Sequence, residues 1–284
     1  MNCALSARLR KFGVGIGVCA AVACSSFAAA QQDQPKPTEK VTETEPLPKA
    51  EEILDRYVKE TGGKEAYEQI KSMVITGEIT LAMNMKGKMT VHLVRPGKLS
   101  SKVELAGIGE IRSGSDGETV WAMDPMQGPR ILEGEEREMT LESAQISEEA
   151  NWRERYKKFE VVGVENVKGK PAYKVELTDK HDAARTAFYD KESGLLVKQS
   201  RVTKTMQGEI PMDVFVSDYK KVGDLLVPHT TTMSAMGQEM KTTYDKIEFN
   251  VDIPAEKFEL PKEVKELKDA KDKKEAEKGN GEKK

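Results

Sequence analysis

The feature that most constrains the fold is an alternation of apolar and polar residues with a period of two, broken repeatedly by glycine and proline. Apolar residues occupy alternate positions through residues 79–85 and again through residues 89–93, and Lys86-Gly87 separates the two runs. Because successive side chains of a strand point to opposite faces, this pattern predicts a hairpin with one apolar face. Turn signals recur at residues 96–97, 107–109, 114–117 and 127–128, which predicts a meander of short strands.

Helical patterns occur before and within this meander. Apolar residues in 53–58 recur at the spacing of a helix face and are followed by Gly62-Gly63, so the sequence predicts an amphipathic helix with a glycine stop. A second short helix is predicted through Ala66, Tyr67 and Ile70. Residues 135–158 interrupt the strands with helix-forming composition.

Strand patterns resume after the helical insertion, at residues 159–164, 172–177, 186–190, 195–203, 210–219, 225–233 and 240–249. The order of the elements is therefore sheet, helical insertion, sheet. This order predicts an α+β fold in which a curved antiparallel sheet surrounds helices packed on or in its concave side.

Residues 1–30 have the pattern of a secretory signal peptide. Arg8, Arg10 and Lys11 precede an apolar run over residues 12–23, and the small residues 28–30 resemble a cleavage site. The run is too short to span a bilayer as a finished helix. We therefore expect export to the periplasm.

All three cysteines, Cys3, Cys19 and Cys24, lie in this leader, so the mature chain has no thiol for a disulfide or a zinc site. Residues 21–24 loosely resemble a lipobox, which leaves lipid attachment at Cys24 as an alternative to cleavage after Ala30.

Three segments follow the leader. Residues 31–47 are rich in Pro, Thr, Glu, Gln and Lys and are predicted to be a disordered linker. Residues 48–261 are long enough for one domain, and residues 262–284 form a charged tail that is predicted to be disordered or partly helical. Removing the leader, which has three basic and no acidic residues, changes the formal net charge from −3 to −6. This charge argues against a nucleic-acid partner.

Motifs for catalysis are missing from the sequence. His92, His181 and His229 are the histidines of the chain, and none has the spacing of a zinc site. Residues 113–117 lack the order of a nucleophile elbow, and Gly107-x-Gly109 stands alone without a dinucleotide-binding pattern. We therefore expect no enzyme activity, no cofactor and no metal site.

Two sequence motifs carry a family resemblance. The run Leu93-Val94-Arg95-Pro96-Gly97-Lys98-Leu99, followed by residues 115–125 with the letters SDGETVWAMDP, resembles the corresponding motifs of the LolA/LolB-type periplasmic lipoprotein-sorting carriers. Residues 189–198 are similar to a strand-turn-strand unit in the second half of that family. The resemblance extends over most of residues 50–261. It implies a half-open antiparallel β-barrel with helices as a lid around an apolar cavity for acyl chains. It also implies that Arg95 holds the lid through backbone carbonyls.

Methionines are clustered beside particular turns. They flank Gly87, Gly128, Gly208 and Gly237, and within each half of the predicted meander these turns share one end of the sheet. Because methionine is flexible and polarizable, a rim of methionines suits varied apolar ligands. Ordinary core filling is an open alternative, as is Cu(I) binding by Met83-x-Met85 and Met233-x-x-Met236. The predicted ligand-binding residues are Leu81, Met83, Met85, Met89, Leu93, Arg95, Trp121, Met123, Met212, Met233, Met236 and Met240.

The sequence thus favours a periplasmic carrier or chaperone for lipid, lipoprotein acyl chains or another apolar ligand. The alternative is a sensor of the same fold that reports lipoprotein status to an inner- or outer-membrane protein.

Overall fold

A computed structural model describes residues 46–81, 84–146, 148–205 and 208–281. The described residues form thirteen strands in one antiparallel sheet. Its first half contains β1 (Ser72–Thr80), β2 (Lys86–Val94), β3 (Lys98–Leu105), β4 (Gly109–Ser115), β5 (Val120–Asp124) and β6 (Gly128–Ile131). Its second half contains β7 (Tyr156–Val167), β8 (Lys170–Asp179), β9 (Ala184–Asp190), β10 (Leu196–Thr205), β11 (Gly208–Val222), β12 (Leu225–Ala235) and β13 (Gln238–Phe249).

The strand order is β6-β5-β4-β3-β2-β1-β13-β12-β11-β10-β9-β8-β7. The first and last strands therefore pair at the centre, where Met73 lies opposite Phe249 and Thr80 lies opposite Lys241. β6 and β7 are the two edges, so the sheet curves without closing. The predicted α+β fold with a half-open antiparallel barrel is confirmed.

The helices are α1 (Ala50–Glu60), α2 (Lys64–Glu68), α3 (Gly134–Ser143), α4 (Trp152–Arg155) and α5 (Lys262–Gly281), with 3-10 segments at Glu148–Asn151 and Ala255–Phe258. α1 ends before Gly62, which has φ 130° and whose added Cβ would lie 2.6 Å from the carbonyl oxygen of Asp224. A residue with a side chain does not fit there, which explains the glycine stop.

The main core lies between α1, α2 and the concave side of the sheet. α1 buries Ile53, Leu54, Tyr57 and Val58. The strand residues of this core include Leu93, Leu99, Leu196 and Leu225, each close to a hairpin turn at the end of the sheet that contains Arg95. The helices therefore fill the concave side mainly at that end.

The C-terminal segment crosses the outer face of the sheet. His92 faces outward, since Val91 and Leu93 on either side of it line the interior. Burial and the nearby charge of Lys257 lower the pKa of His92 below its ordinary value. Phe258 and Val264 are buried, and α5 contacts β6. Residues 262–284 were predicted to be a charged tail, disordered or partly helical; Lys262–Gly281 form α5, and Val264 in its first turn is buried.

The predicted signal peptide, the possible lipid attachment at Cys24 and linker residues 31–45 lie outside the described residues. Within the described part of the chain, no helix combines the length and the apolar character needed to cross a membrane.

Candidate functional site: a half-open cavity beside a charged helix

Every methionine-bearing turn in the described residues lies at one end of the sheet, which we call the methionine end. Consecutive hairpin turns of a meander alternate between the two ends, so the β1–β2 and β5–β6 turns share an end, as do the β10–β11 and β12–β13 turns. Antiparallel pairing of β1 with β13 joins the two sets, because Thr80 at the end of β1 lies opposite Lys241 near the start of β13. Met83 and Met206, which the sequence places beside Gly87 and Gly208, lie outside the described residues.

A half-open cavity of about 620 Å³, which we call the internal cavity, lies between α3 and the concave face of the sheet. Apolar side chains from the first half of the sheet form one part of its wall: Ile75, Met89, Val91, Leu93 and Leu99. Met139, Met212 and Val214 add to the apolar lining. The remaining lining is polar and charged: Ser101, Ser113, Thr140, Glu142, Ser143, Arg185, Gln199, Ser200, Arg201 and Tyr244. The cavity is therefore amphipathic, whereas the family resemblance implied an apolar one.

Several predicted ligand-binding residues lie on the inner face. Met89, Leu93 and Met212 line the cavity. Val214 lines the cavity as well. Met233 is paired with Val214 on the neighbouring strand, and Met240 is paired with Met233. Since directly paired residues of an antiparallel ladder share a face, Met233 and Met240 also point to the concave side.

Trp121 and Met123 lie outside the cavity. Trp121 is paired with Gly114, whereas the cavity residue Ser113 is paired with Ala122. The strand alternation therefore places Trp121 and Met123 on the outer face, opposite to the face expected for ligand contact. A Cβ at Gly114 would lie 2.8 Å from the Trp121 ring, so a glycine is needed beneath the indole.

The remaining predicted residues lie in or beside the turns of the methionine end. Leu81 and Met85 are half-buried, and the amide of Leu81 donates a hydrogen bond to the Met85 carbonyl at 2.8 Å. Met236 is 71% exposed at the β12–β13 turn, and Met126 is 89% exposed at the β5–β6 turn. Met233 faces the interior while Met236 is exposed at the turn, an arrangement that does not favour shared Cu(I) coordination.

Arg95 connects the sheet to two helical segments. Its Nη2 donates a hydrogen bond to the carbonyl oxygen of Ile146 at 2.8 Å and a longer one to the carbonyl oxygen of Tyr67 at 3.4 Å. Tyr67 belongs to α2, and Ile146 follows α3, so one guanidinium holds the ends of both segments. The role of holding a lid, which the family resemblance implies for Arg95, stays a prediction.

Sequence reasoning missed a group of four charged residues, which we call the Glu142 cluster: Glu142, Arg155, Arg185 and Arg201. The Glu142 carboxylate accepts hydrogen bonds from Nη1 of Arg185 at 2.6 Å, from Nη1 of Arg201 at 3.1 Å and from Nη2 of Arg155. Burial alone would raise the pKa of Glu142, but the charges and hydrogen bonds of the arginines hold it below its ordinary value. The carboxylate is therefore ionised at neutral pH.

The Glu142 cluster separates the internal cavity from a second cavity of about 770 Å³. Glu142, Arg185, Arg201 and Met139 line both cavities, and Arg95 and Arg155 line the second one. None of the ten residues of α3 is fully buried, and Met139, Leu141 and Glu142 are half-buried. Glu142 ties the helix to β9 and β10 through Arg185 and Arg201.

No family model and no curated protein sequence matches the chain. Among solved structures, it is similar to a DUF1329 family protein from Desulfovibrio piger, with 13% identity, a TM-score of 0.51 and coverage of 74% of this chain and 97% of that chain. A putative outer membrane lipoprotein-sorting protein domain from Vibrio parahaemolyticus has 15% identity, a TM-score of 0.48 and coverage of 74% and 97%. A LolA superfamily protein from Nitrosomonas europaea has 14% identity, a TM-score of 0.47 and coverage of 75% and 99%.

At these identities the likeness concerns the fold, and the DUF1329 structure carries it. A lipoprotein-sorting domain and a LolA superfamily protein, the kinds of protein that the sequence motifs resemble, stand among the similar structures.

Proposed function

We propose that the protein is a carrier or chaperone of the bacterial envelope that binds acyl chains of lipids or lipoproteins, or another apolar ligand, in the internal cavity. The cavity itself carries the proposal. Its volume of about 620 Å³ falls within the range of roughly 300–1,000 Å³ that is usual for small-molecule sites. Each methylene removed from water contributes about 0.8 kcal/mol to binding, so burial of an acyl chain in the cavity is favourable without a covalent bond.

The methionines have two roles in this proposal. Met89, Met212, Met233 and Met240 face the concave side and adapt to chains of different length. Met236, exposed at the methionine end, makes the first contact with an incoming ligand or with the membrane that delivers it. The predicted signal peptide supports an envelope location.

A cavity-filling substitution tests the proposal. Ser101 lines the cavity, whereas the next residue, Lys102, has an exposed side chain on the outer face. We expect Ser101→Trp to weaken binding of a dansyl-labelled fatty acid at least about tenfold, a loss of about 1.4 kcal/mol. The matched variant Lys102→Trp retains wild-type affinity, because its indole points to solvent.

Equal affinity of Ser101→Trp and wild type, or no binding by wild type, contradicts the carrier function. Native mass spectrometry of protein purified from the envelope distinguishes the carrier function from the sensor alternative. A bound lipid supports the carrier, whereas a co-purifying membrane protein without lipid supports the sensor.

A further inference from the structure

The polar part of the internal cavity has more hydrogen-bond donors than its one carboxylate satisfies. Two arginines of the internal cavity, Arg185 and Arg201, share the Glu142 carboxylate. Each guanidinium has five N–H donors, whereas a carboxylate offers about four acceptor positions. Glu142 alone therefore cannot satisfy all the donors of these two side chains.

Arg185 shows the deficit most clearly. Its side chain is only 9% exposed, and it is held by Glu142 at 2.6 Å and by Asp179 at 3.8 Å. Its Nε is buried and has no hydrogen-bond partner among the described residues. Native proteins rarely leave a buried charged donor unpaired, because its desolvation is then uncompensated.

Arg201 is also poorly satisfied on one side. One nitrogen donates to Glu142 at 3.1 Å, and the other lies 3.9 Å from the sulfur of Met212, which is a weak acceptor. Both arginines and Met212 line the internal cavity together with the apolar side chains of β1–β3. Hydrogen-bond donors suited to an anion and an apolar wall therefore line the same cavity.

We propose that the cavity binds an amphiphile with an anionic headgroup, whose oxygen atoms replace the Glu142 carboxylate at Arg185 and Arg201 while its hydrocarbon chain lies along the apolar wall. The inference rests on the proposed function, since it names the class of apolar ligand. Glu142 acts as an internal substitute for the headgroup. No residue of α3 is fully buried, so its displacement exposes mainly the half-buried apolar side chains of Met139 and Leu141.

Three probes with the same hydrocarbon chain test the inference: dodecyl phosphate, dodecanoate and dodecanol. We measure their binding to the purified protein by titration calorimetry, with inorganic phosphate as a fourth probe without a chain. The two anionic amphiphiles bind at least about tenfold more tightly than dodecanol, and inorganic phosphate alone does not bind measurably. The phosphate and carboxylate probes show which headgroup is preferred.

Variants identify the residues responsible. Glu142→Gln removes the competing charge and raises affinity for dodecyl phosphate about tenfold, whereas Arg201→Gln lowers it about tenfold, and neither changes dodecanol binding. Glu138→Gln is the matched control, because Glu138 lies one turn away on α3 with a side chain 64% exposed. It leaves all affinities unchanged. Circular dichroism of each variant verifies that it is folded.

Equal binding of dodecanol and dodecyl phosphate, unaffected by either variant, refutes the headgroup site and leaves the carrier function intact. Binding of none of the amphiphiles refutes both proposals. If inorganic phosphate binds as tightly as dodecyl phosphate, the site is a simple anion site, and the proposal of an amphiphilic ligand is refuted.

Discussion

Replacing Arg95 with methionine tests how the helical insertion is held. Methionine keeps a long flexible apolar side chain but has no donor, so the change removes the bonds to Ile146 and Tyr67. A hydrogen bond from a charged donor contributes roughly 1.5–3 kcal/mol, and the 2.8 Å bond to Ile146 has the better geometry. We expect a local loss of about 2 kcal/mol, which increases opening of the segment after α3 about 30-fold.

Hydrogen–deuterium exchange measures this opening. Amides in residues 144–146 and 148–152 exchange about 30-fold faster in Arg95→Met, while those of the β11–β12 ladder change little because that ladder does not include Arg95, Tyr67 or Ile146. Arg137→Met is the control, since the side chain of Arg137 forms an exposed ion pair with Glu138 of the same helix. Such a surface pair contributes little to stability. The reasoning is refuted when the segment exchanges at the wild-type rate, or when the control accelerates exchange equally.

Two further predictions concern stability. The pKa of Glu142 is lower in the folded protein than its ordinary value of 4.5. The ionised carboxylate therefore stabilises the fold fully above pH 4.5, and this contribution is lost as the pH falls through the lower pKa of the folded state. The Tm difference between wild type and Glu142→Gln should accordingly shrink below pH 4.5. A difference independent of pH contradicts this. Val264→Ala, at a fully buried position of α5, should lower the free energy of unfolding in urea by about 2 kcal/mol. Leu267→Ala, at a position 40% exposed, should cost less than about 0.5 kcal/mol, and equal effects would show that α5 does not pack through Val264.

The strands and their order of appearance were predictable because each depends on local pattern. The alternation through residues 86–94 and the glycines at turns predict hairpins irrespective of distant contacts. The face of an individual strand was harder to assign. Val120 and Trp121 are consecutive and both buried, so hydrophobicity does not distinguish the inner residue from the outer one. Only the pairing of Trp121 with Gly114 assigns the indole to the outer face.

The Glu142 cluster was beyond sequence reasoning for a different reason. Its members come from α3, α4, β9 and β10, and charged residues in helices and strands ordinarily indicate solvent-exposed faces. A signal existed in β10, where Gln199 and Arg201 occupy alternate positions that both prove to line the cavity. Recognising it requires knowing which face of β10 points inward, and that depends on the registers with β9 and β11.

The pairing of β1 with β13 has a consequence for biosynthesis. Each half of the sheet consists of hairpins between neighbouring strands, which form early because little loop entropy opposes them. The junction between the halves must await the synthesis of β13, because β1 pairs with it. Until then β1 and β12 present unsatisfied backbone groups, so a nascent or truncated chain is prone to self-association in a way that the finished protein is not.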